Sequence, residues 1–277
     1  MRVGFLGPAG TFTEEALRAS ATGEVEEVPY PTVYETVMAV EHGEVDRAVV
    51  PIENSLEGSV TATLDALAGE AEGVRIALEV VRPIRHCLIA RHDISPAEVR
   101  RVVSHPQATA QCGRFLRQVL GTAELRSAGS TAEAVRLVAA SREPWAALGP
   151  RLAAELYECR VLAEGVEDDA GNRTRFVWLA PVRVDPPAKP TKTSLVFWGP
   201  GDETPGALVG VLRELADRDI NLTKIESRPR RVGLGHYMFF LDLEGARDEP
   251  RVAEALEGLA ARVEELRILG SYPSVEA

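Results

Sequence analysis

The first 180 residues alternate short apolar segments with amphipathic ones, and this alternation constrains the fold more than any other feature. Several amphipathic segments begin where Ser or Thr is followed three residues later by Glu, a pattern typical of helix N-termini. A longer helix is expected from about Gln107 to Leu120, ended by Gly121. Alternating strands and helices predict an α/β fold with mostly parallel sheets. The helix starts lie at Thr11, Thr32, Ser95 and Ser130, and the strands at 3–6, 47–51, 74–81, 86–90, 101–104, 145–148 and 173–179.

A proline-rich segment divides the chain. Residues 181–190 contain four prolines, which favour an extended and semi-rigid linker. The residues beyond it follow the order strand, helix, strand, strand, helix, strand, which is the ferredoxin-like βαββαβ arrangement. We therefore predict a domain at 1–180, a linker at 181–191 and a second domain at 192–277.

Composition and charge exclude several classes of protein. The 277 residues carry a net charge of −11, which disfavours binding to nucleic acid or to an anionic membrane. The N-terminus lacks the apolar region of a signal peptide, and no apolar run is long enough to span a bilayer. Three widely spaced cysteines without a Cys-x-x-Cys pair indicate reduced thiols and no structural metal. A cytoplasmic protein is the expectation.

Polar loops follow three of the predicted strands, where ligands gather in open α/β sheets. In the first loop, residues 7–14, free amides near Thr11 could bind a carboxylate or phosphate. The second contains Asn54 and Ser55, which are neutral donors. In the third, Ser104 and Gln107 could supply polar contacts, and His105 is a possible acid or base. Taken alone, an ordinary capped turn explains the first loop equally well, and helix capping explains the second better. A His at the end of a strand is more often a structural hydrogen-bonding residue than a catalytic one.

A fourth polar segment, 168–178, is an acidic turn that leads into a strand. Its strand opens on Asn172, Thr174, Arg175 and Phe176, which place a hydroxyl, a guanidinium and an aromatic edge together. Such a set can hold an anion and donate a hydrogen bond without a metal or cofactor. Arg175 could instead be a surface charge and Phe176 a core residue. With the three loops, the segment predicts a cleft between two α/β lobes.

The four segments together resemble the prephenate dehydratase family. The similarity lies in GPAGTFTEEA at 7–16, VPIENSLEGSV at 50–60, SHPQATAQC at 104–112 and NRTRF at 172–176. Thr13 stands where that family often has Ser, which keeps the hydroxyl. The C-terminal part is similar to the family's ACT regulatory domain through GALV at 206–209 and ESRP at 226–229.

This resemblance implies a bilobed catalytic domain like a type II periplasmic binding protein, followed by an ACT domain. The implied reaction converts prephenate to phenylpyruvate, carbon dioxide and water without a cofactor or metal. Thr174 would be the essential catalytic hydroxyl. The expected substrate-binding residues are Thr11, Asn54, Ser55, Ser104, Gln107, Asn172, Arg175 and Phe176.

For the C-terminal domain, the resemblance implies feedback inhibition by L-phenylalanine and assembly into a homodimer or homotetramer. The sequence Thr204-Pro205-Gly206 is typical of a helix start whose amides could bind an amino-acid carboxylate. A domain that only dimerises is the plainer interpretation. The expected phenylalanine-binding residues are Gly206, Ala207, Leu208, Asn221, Glu226, Ser227, Arg228 and Pro229.

Two other functions stay open. An arogenate dehydratase would use the aminated form of the substrate and make phenylalanine directly, and the motifs do not separate the two enzymes. A non-catalytic protein that senses an amino acid or another anion is a different class, in which two lobes would close on a ligand without releasing product.

Overall fold

The computed structural model describes residues 1–201, 204–230 and 232–276. Within the N-terminal part, helices and strands alternate as the capping and apolar patterns predict. Its elements are β1 (Arg2–Leu6), α1 (Phe12–Ser20), β2 (Glu26–Tyr30), α2 (Val33–Glu41), β3 (Arg47–Asn54), β4 (Gly58–Ser59), α3 (Thr61–Ala68), β5 (Val74–Pro83), β6 (Cys87–Ala90), β7 (Arg101–Ser104), α4 (Pro106–Gln111), α5 (Gly113–Val119), β8 (Glu124–Ser127), α6 (Thr131–Ala140), β9 (Trp145–Gly149), α7 (Arg151–Leu156), β10 (Arg160–Glu164) and β11 (Arg173–Pro181).

These elements form two lobes. The strands of the first follow the order β16-β5-β11-β3-β1-β2, in which β16 (Ser274–Glu276) comes from the C-terminus, with β4 paired to β3. Those of the second follow the order β10-β6-β9-β7-β8. The expectation of mostly parallel sheets is wrong, because both sheets are mixed. In the first, β11 runs antiparallel to β3 and to β5. It does so because the chain returns from the second lobe to fill the centre of the first sheet.

Local details also depart from the sequence expectations. The helix expected at 107–120 breaks at Cys112 into α4 and α5. Ser95 begins only a single 3-10 turn, Pro96–Glu98, although its capping box forms. The edge strands β2, β8 and β10 were not predicted, since each is short and begins or ends on charged residues that interrupt the apolar pattern.

The C-terminal part has the predicted βαββαβ order. It consists of β12 (Lys192–Trp198), α8 (Ala207–Ala216), β13 (Leu222–Pro229), β14 (Tyr237–Glu244), α9 (Pro250–Ala260) and β15 (Glu265–Tyr272), followed by β16 (Ser274–Glu276). Its antiparallel sheet has the strand order β13-β14-β12-β15. Leu195, Phe197 and Leu241 pack with side chains of α8 and α9 on one face of this sheet.

The opposite face of this sheet packs on the first lobe. Val196, Phe240 and Tyr272 belong to the same buried cluster as Ile76 and Val177 of the first lobe. The last strand, β16, pairs in parallel with β5. The C-terminal domain is therefore joined to the first lobe by a continuous core and by a shared sheet. Along the described part of the chain, no helix combines the length and apolar character needed to cross a bilayer.

Candidate active site

A cavity of about 400 Å³ lies between the two lobes, within the size range of small-molecule sites. None of its described lining residues carries an Arg, Lys, Asp or Glu side chain. The first lobe supplies the ends of β1, β3 and β11 and the start of α1, and the second supplies the starts of α4 and α6. The lining residues are Leu6, Gly7, Thr11, Phe12, Thr13, Pro31, Pro51, Asn54, Val60, Ile84, His86, His105, Gln107, Ala108, Gln111, Gly129, Ser130, Thr131, Thr174 and Phe176.

Thr174 lies at the start of β11 and faces this cavity. Its partner across the antiparallel pair with β3 is Asn54. The Nδ2 of Asn54 donates to Thr174 Oγ1 at 2.9 Å. That bond uses a lone pair of the hydroxyl and leaves its hydrogen available to an acceptor in the cavity.

The backbone fixes the orientation of the Asn54 amide. Its Oδ1 accepts from the amides of Leu56 at 3.0 Å and Glu57 at 3.1 Å, so Nδ2 must face the other way. Nδ2 also donates to Asn172 Oδ1 at 2.8 Å. Asn172 does not line the cavity, and its contribution is this hydrogen bond to Asn54.

Two residues that sequence reasoning missed continue this network. Asn172 Nδ2 donates to Gln111 Oε1 at 3.2 Å, and Gln111 Oε1 lies 3.2 Å from His86 Nε2. Both Gln111 and His86 line the cavity. Gln111 lay inside the matched segment 104–112, but nothing local distinguished it from other helical glutamines.

The N-termini of two helices line the cavity. Thr11 caps α1, where its Oγ1 accepts from the amide of Glu14, and Ser130 caps α6 in the same way with Glu133. The positive ends of these helices favour a negative ligand. Ser130 and Thr131 were not among the expected binding residues, although the capping pattern had located the start of α6.

Four of the expected binding residues lie outside the cavity lining, namely Ser55, Ser104, Asn172 and Arg175. Ser104 is 1% exposed and donates to the carbonyl of Leu148 at 2.9 Å, which fastens β7 to β9. Ser55 accepts from the amide of Arg173 at 3.0 Å and joins the β3 end to β11. Both side chains have structural partners because strand-end hydroxyls bond readily to nearby backbone.

The expectation that Arg175 binds the substrate needs a larger correction, because its side chain faces away from the cavity. Successive side chains of a strand point to opposite faces, so Thr174 and Phe176 face the cavity and Arg175 does not. Its guanidinium is bound by Glu53 and Glu79 of the first lobe and by Asp242 of β14, the last at 2.7 Å. The expected anion-binding cation is thus enclosed by three carboxylates at the interface of the two domains.

The expected phenylalanine-binding residues divide between two parts of the C-terminal domain. Gly206 caps α8 with a left-handed φ of 83°, which favours glycine, and Ala207 and Leu208 begin that helix. Asn221 precedes β13. Ser227 and Pro229 are exposed on β13.

The remaining two residues of that set, Glu226 and Arg228, point toward the first lobe. Glu226 contacts Ser59, and Arg228 forms a bidentate pair with Asp65 at 2.7 and 2.8 Å. They therefore bind the first lobe in this conformation.

The cysteines and the possible metal ligands of the described residues are arranged as follows. Among the described residues, no group of three or more His, Cys, Asp or Glu side chains is placed to hold a metal ion. The three cysteines are free, and burial raises the pKa of Cys87 to about 11 and that of Cys112 to about 12. Such thiols stay protonated at neutral pH and are poor nucleophiles.

Comparison with known proteins identifies the family. A family model for prephenate dehydratase matches residues 3–183, and one for the ACT domain matches residues 193–261. The prephenate dehydratase of Mycolicibacterium vanbaalenii is 42% identical over 98% of this chain and 91% of its own length. That of Bacillus subtilis is 38% identical over the full length of both chains.

Solved structures agree with this result. The prephenate dehydratase of Arthrobacter aurescens, solved in complex with L-Phe, is 38% identical, covers 99% of this chain and 90% of its own, and has a TM-score of 0.89. A chain described as a novel type of quorum-quenching acylase is 31% identical over 99% of this chain and 98% of its own, with a TM-score of 0.88. Together with the family models, these matches show that the chain belongs to the prephenate dehydratase family and carries a C-terminal ACT domain.

Proposed function

We propose that this chain converts prephenate to phenylpyruvate, carbon dioxide and water. The observation that carries the proposal is the position of Thr174, which lines the cavity and whose Oγ1 accepts from Asn54, so that its hydrogen is left for an acceptor in the cavity. The fold alone would not decide the reaction, since one fold supports many activities. The site offers hydrogen-bond donors in an uncharged cavity, which suits a reaction that the substrate itself drives.

The electron balance of this reaction places small demands on the protein. One carboxylate leaves as carbon dioxide, and its bonding pair enters the ring. The carbon–oxygen pair at the far end of the ring leaves with the hydroxyl, which takes up one proton and becomes water. Formation of the aromatic ring drives the reaction. The protein therefore has only to orient the substrate and supply a hydrogen bond to the departing oxygen. Thr174 is the donor.

Prephenate carries two carboxylates, and in this proposal no cationic side chain binds them. The amides at the starts of α1 and α6, capped by Thr11 and Ser130, bind carboxylate oxygens from opposite lobes. Asn54 and Gln107 add neutral donors. Arg175 is not part of this set, because its three carboxylate partners already neutralise it.

The C-terminal domain is proposed to bind L-phenylalanine and reduce turnover. Support comes from the ACT family match and from the relative solved with L-Phe. Feedback requires that the ligand prefer one conformation and that this conformation differ at the active site. Arg175 offers a direct connection, since it is adjacent to Thr174 in the chain and its side chain is held by Asp242 of the C-terminal sheet. A cytoplasmic homodimer or homotetramer completes the proposal.

A steady-state assay tests this function. Purified protein is mixed with prephenate, and the enol absorbance of phenylpyruvate is followed with and without L-phenylalanine. We expect turnover that L-phenylalanine lowers, and slower turnover with arogenate. Release of product at the buffer rate would contradict the proposal, and stabilisation by prephenate without product would favour a binding protein. Faster turnover of arogenate than of prephenate would reassign the substrate.

A further inference from the structure

A second cavity, of about 570 Å³, adjoins the active-site cavity, and we call it the entrance cavity. It lies between residues 7–9 and 29–31 of the first lobe and the start of α6 in the second lobe. Four residues line both cavities, namely Gly7, Pro31, Gly129 and Ser130. Because Pro31 and Gly129 are exposed, the joined space opens to solvent between the lobes. A ligand can therefore reach the active site through the entrance cavity.

The entrance cavity contains a cation that the active-site cavity lacks. Of the described residues that line the two cavities, Arg136 alone is an Arg or a Lys. It lies on α6, and its side chain is 57% exposed. Burial raises the pKa of Tyr157 and the charge of Arg136 opposes this effect, so the guanidinium lies near the Tyr157 hydroxyl. That hydroxyl donates to the carbonyl of Ala9 in the first lobe at 3.0 Å. The charge of Arg136 is thus placed between the two lobes.

The ion pair of Arg136 holds its side chain only loosely. Its partner is Glu133, three residues earlier on α6, whose Oε2 accepts from the amide of Gly129 at 2.8 Å. The other oxygen of Glu133 lies 3.6 Å from the guanidinium of Arg136. An exposed pair of this kind contributes little to stability. Since a guanidinium has five N–H donors, Arg136 can bind a second carboxylate that comes from solvent.

The charge of the whole chain makes a local cation important. With a net charge of −11, the protein repels a dianion at long range. The active-site cavity has no cationic side chain to oppose this repulsion, and the partial charges of helix ends act only at short range. A cation at the mouth of a cleft raises the local concentration of an anionic ligand and the rate of its association. Arg136 occupies this place.

We propose that Arg136 binds a carboxylate of incoming prephenate in the entrance cavity and so speeds its passage to the active site. This inference rests on the proposed function. The contact is transient, because the carboxylates then move to the helix starts capped by Thr11 and Ser130. Arg136 takes no part in the departure of carbon dioxide or water. Without Arg136, Glu133 is the one charged side chain among the described lining residues of the entrance cavity, and it repels the dianion.

Steady-state kinetics with prephenate at low and high ionic strength tests this role. At about 0.01 M salt, where the screening length is about 30 Å, Arg136→Gln should lower kcat/KM about five- to tenfold and leave kcat unchanged. At about 1 M salt the screening length is about 3 Å, and the kcat/KM values of the variant and the wild-type protein should coincide. Arg136→Lys keeps the positive charge and should retain most of the wild-type kcat/KM at both salt concentrations.

Arg142→Gln is the matched control, because it removes the same charge from an exposed position beyond the far end of α6, outside both cavities. Wild-type kcat/KM in the Arg136→Gln variant at low salt would overturn the inference. So would a loss that persists at about 1 M salt, an equal loss in the Arg142 variant, or a Lys variant that behaves like the Gln variant. Absence of prephenate turnover in the wild-type protein at every ionic strength would contradict the proposed function instead.

Discussion

At the scale of single residues, the chemistry of the site depends on which atoms donate and which accept. Two backbone amides at the end of β3 orient the Asn54 side chain, and Asn54 orients the hydroxyl of Thr174. A hydroxyl is a weak acid in water, and its usefulness here comes from a fixed direction in a cavity without charged side chains.

Thr174→Ala removes the donor, and we expect kcat for prephenate to fall by about 10²- to 10⁴-fold, the usual contribution of a positioned proton donor. Thr174→Ser keeps the hydroxyl and should retain part of the activity. Steady-state kinetics with thermal unfolding as a folding control measures both. Near-normal turnover of a folded Ala variant would remove Thr174 from the mechanism.

Asn54→Asp is a sharper test because it changes the hydrogen-bond direction with almost no change in shape. One carboxylate oxygen still accepts from the amides of Leu56 and Glu57, but the other can only accept from Thr174. The Thr174 hydrogen then turns away from the cavity. We expect kcat to fall about 10²-fold or more. Tm should fall as well, because the new carboxylate oxygen faces Asn172 Oδ1, which loses its donor. Wild-type kcat in this variant would show that the orientation of Thr174 does not matter.

At the scale of helices and strands, the sequence was informative wherever the cause was local. The caps at Thr11, Thr32 and Ser130 form as predicted, because each depends on residues three apart. The break at Cys112 was not predictable. The start of α5 after the break is bound by Asp168, distant in sequence, whose carboxylate accepts from the amide of Arg114 at 3.0 and 3.1 Å.

At the candidate site too, local sequence patterns could not predict contacts between residues that are distant in the chain. Local motifs found Thr174 and Asn54, but pairing across the sheet decides that they touch. The opposite direction of Arg175 could have been inferred from strand alternation once the cavity side of β11 was known. The three carboxylates around it come from β3, β5 and β14, which no local pattern brings together.

Asp168→Ala tests the long-range cap of α5. Loss of a capping carboxylate should lower the free energy of unfolding by about 1 kcal/mol. Urea unfolding measures this difference, and Asp93→Ala at an exposed position is the matched control. A stability equal to that of the control variant would mean that the break at Cys112 does not need Asp168.

At the scale of the whole molecule, a cluster of buried charges joins the C-terminal domain to the first lobe. Glu79 is 1% exposed and binds Arg175, Lys192 and the hydroxyl of Ser274, so β5, β11, β12 and β16 meet at one carboxylate. Buried charges are costly when they lose a partner. The stability of the domain interface should therefore depend strongly on pH and on the position of β14.

The pH dependence follows from Glu79. Burial raises the pKa of its carboxyl, but Arg175 and Lys192 outweigh burial and hold the pKa below its usual value. Stability from this group is thus complete above the unfolded pKa of about 4.3 and is lost as the pH falls through the folded one. Calorimetry should show Tm falling below about pH 4.

The Glu79→Gln variant should be less stable at neutral pH by about 3–5 kcal/mol. Its Tm should also fall less than that of the wild-type protein when the pH is lowered. Glu244→Gln, at an exposed end of β14, is the control. An unchanged acid slope in the Glu79 variant would assign the pH dependence to other groups.

Asp242→Asn tests whether this interface carries feedback. The substitution keeps the shape of the side chain but weakens its hold on Arg175, which follows Thr174 in β11. If binding of L-phenylalanine moves β14, the variant should transmit that motion less well, and the concentration of L-phenylalanine that halves turnover should rise about fivefold or more.

Turnover without L-phenylalanine should change less than this, because the cavity side of β11 keeps its bonds to Asn54. Glu264→Gln alters an exposed ion pair with Arg230 inside the C-terminal domain and is the matched control. If the inhibition curve of the Asp242 variant coincides with that of the control, the effect of L-phenylalanine reaches the cavity by another route. Arg175 would then hold the two domains together without transmitting a conformational change between them.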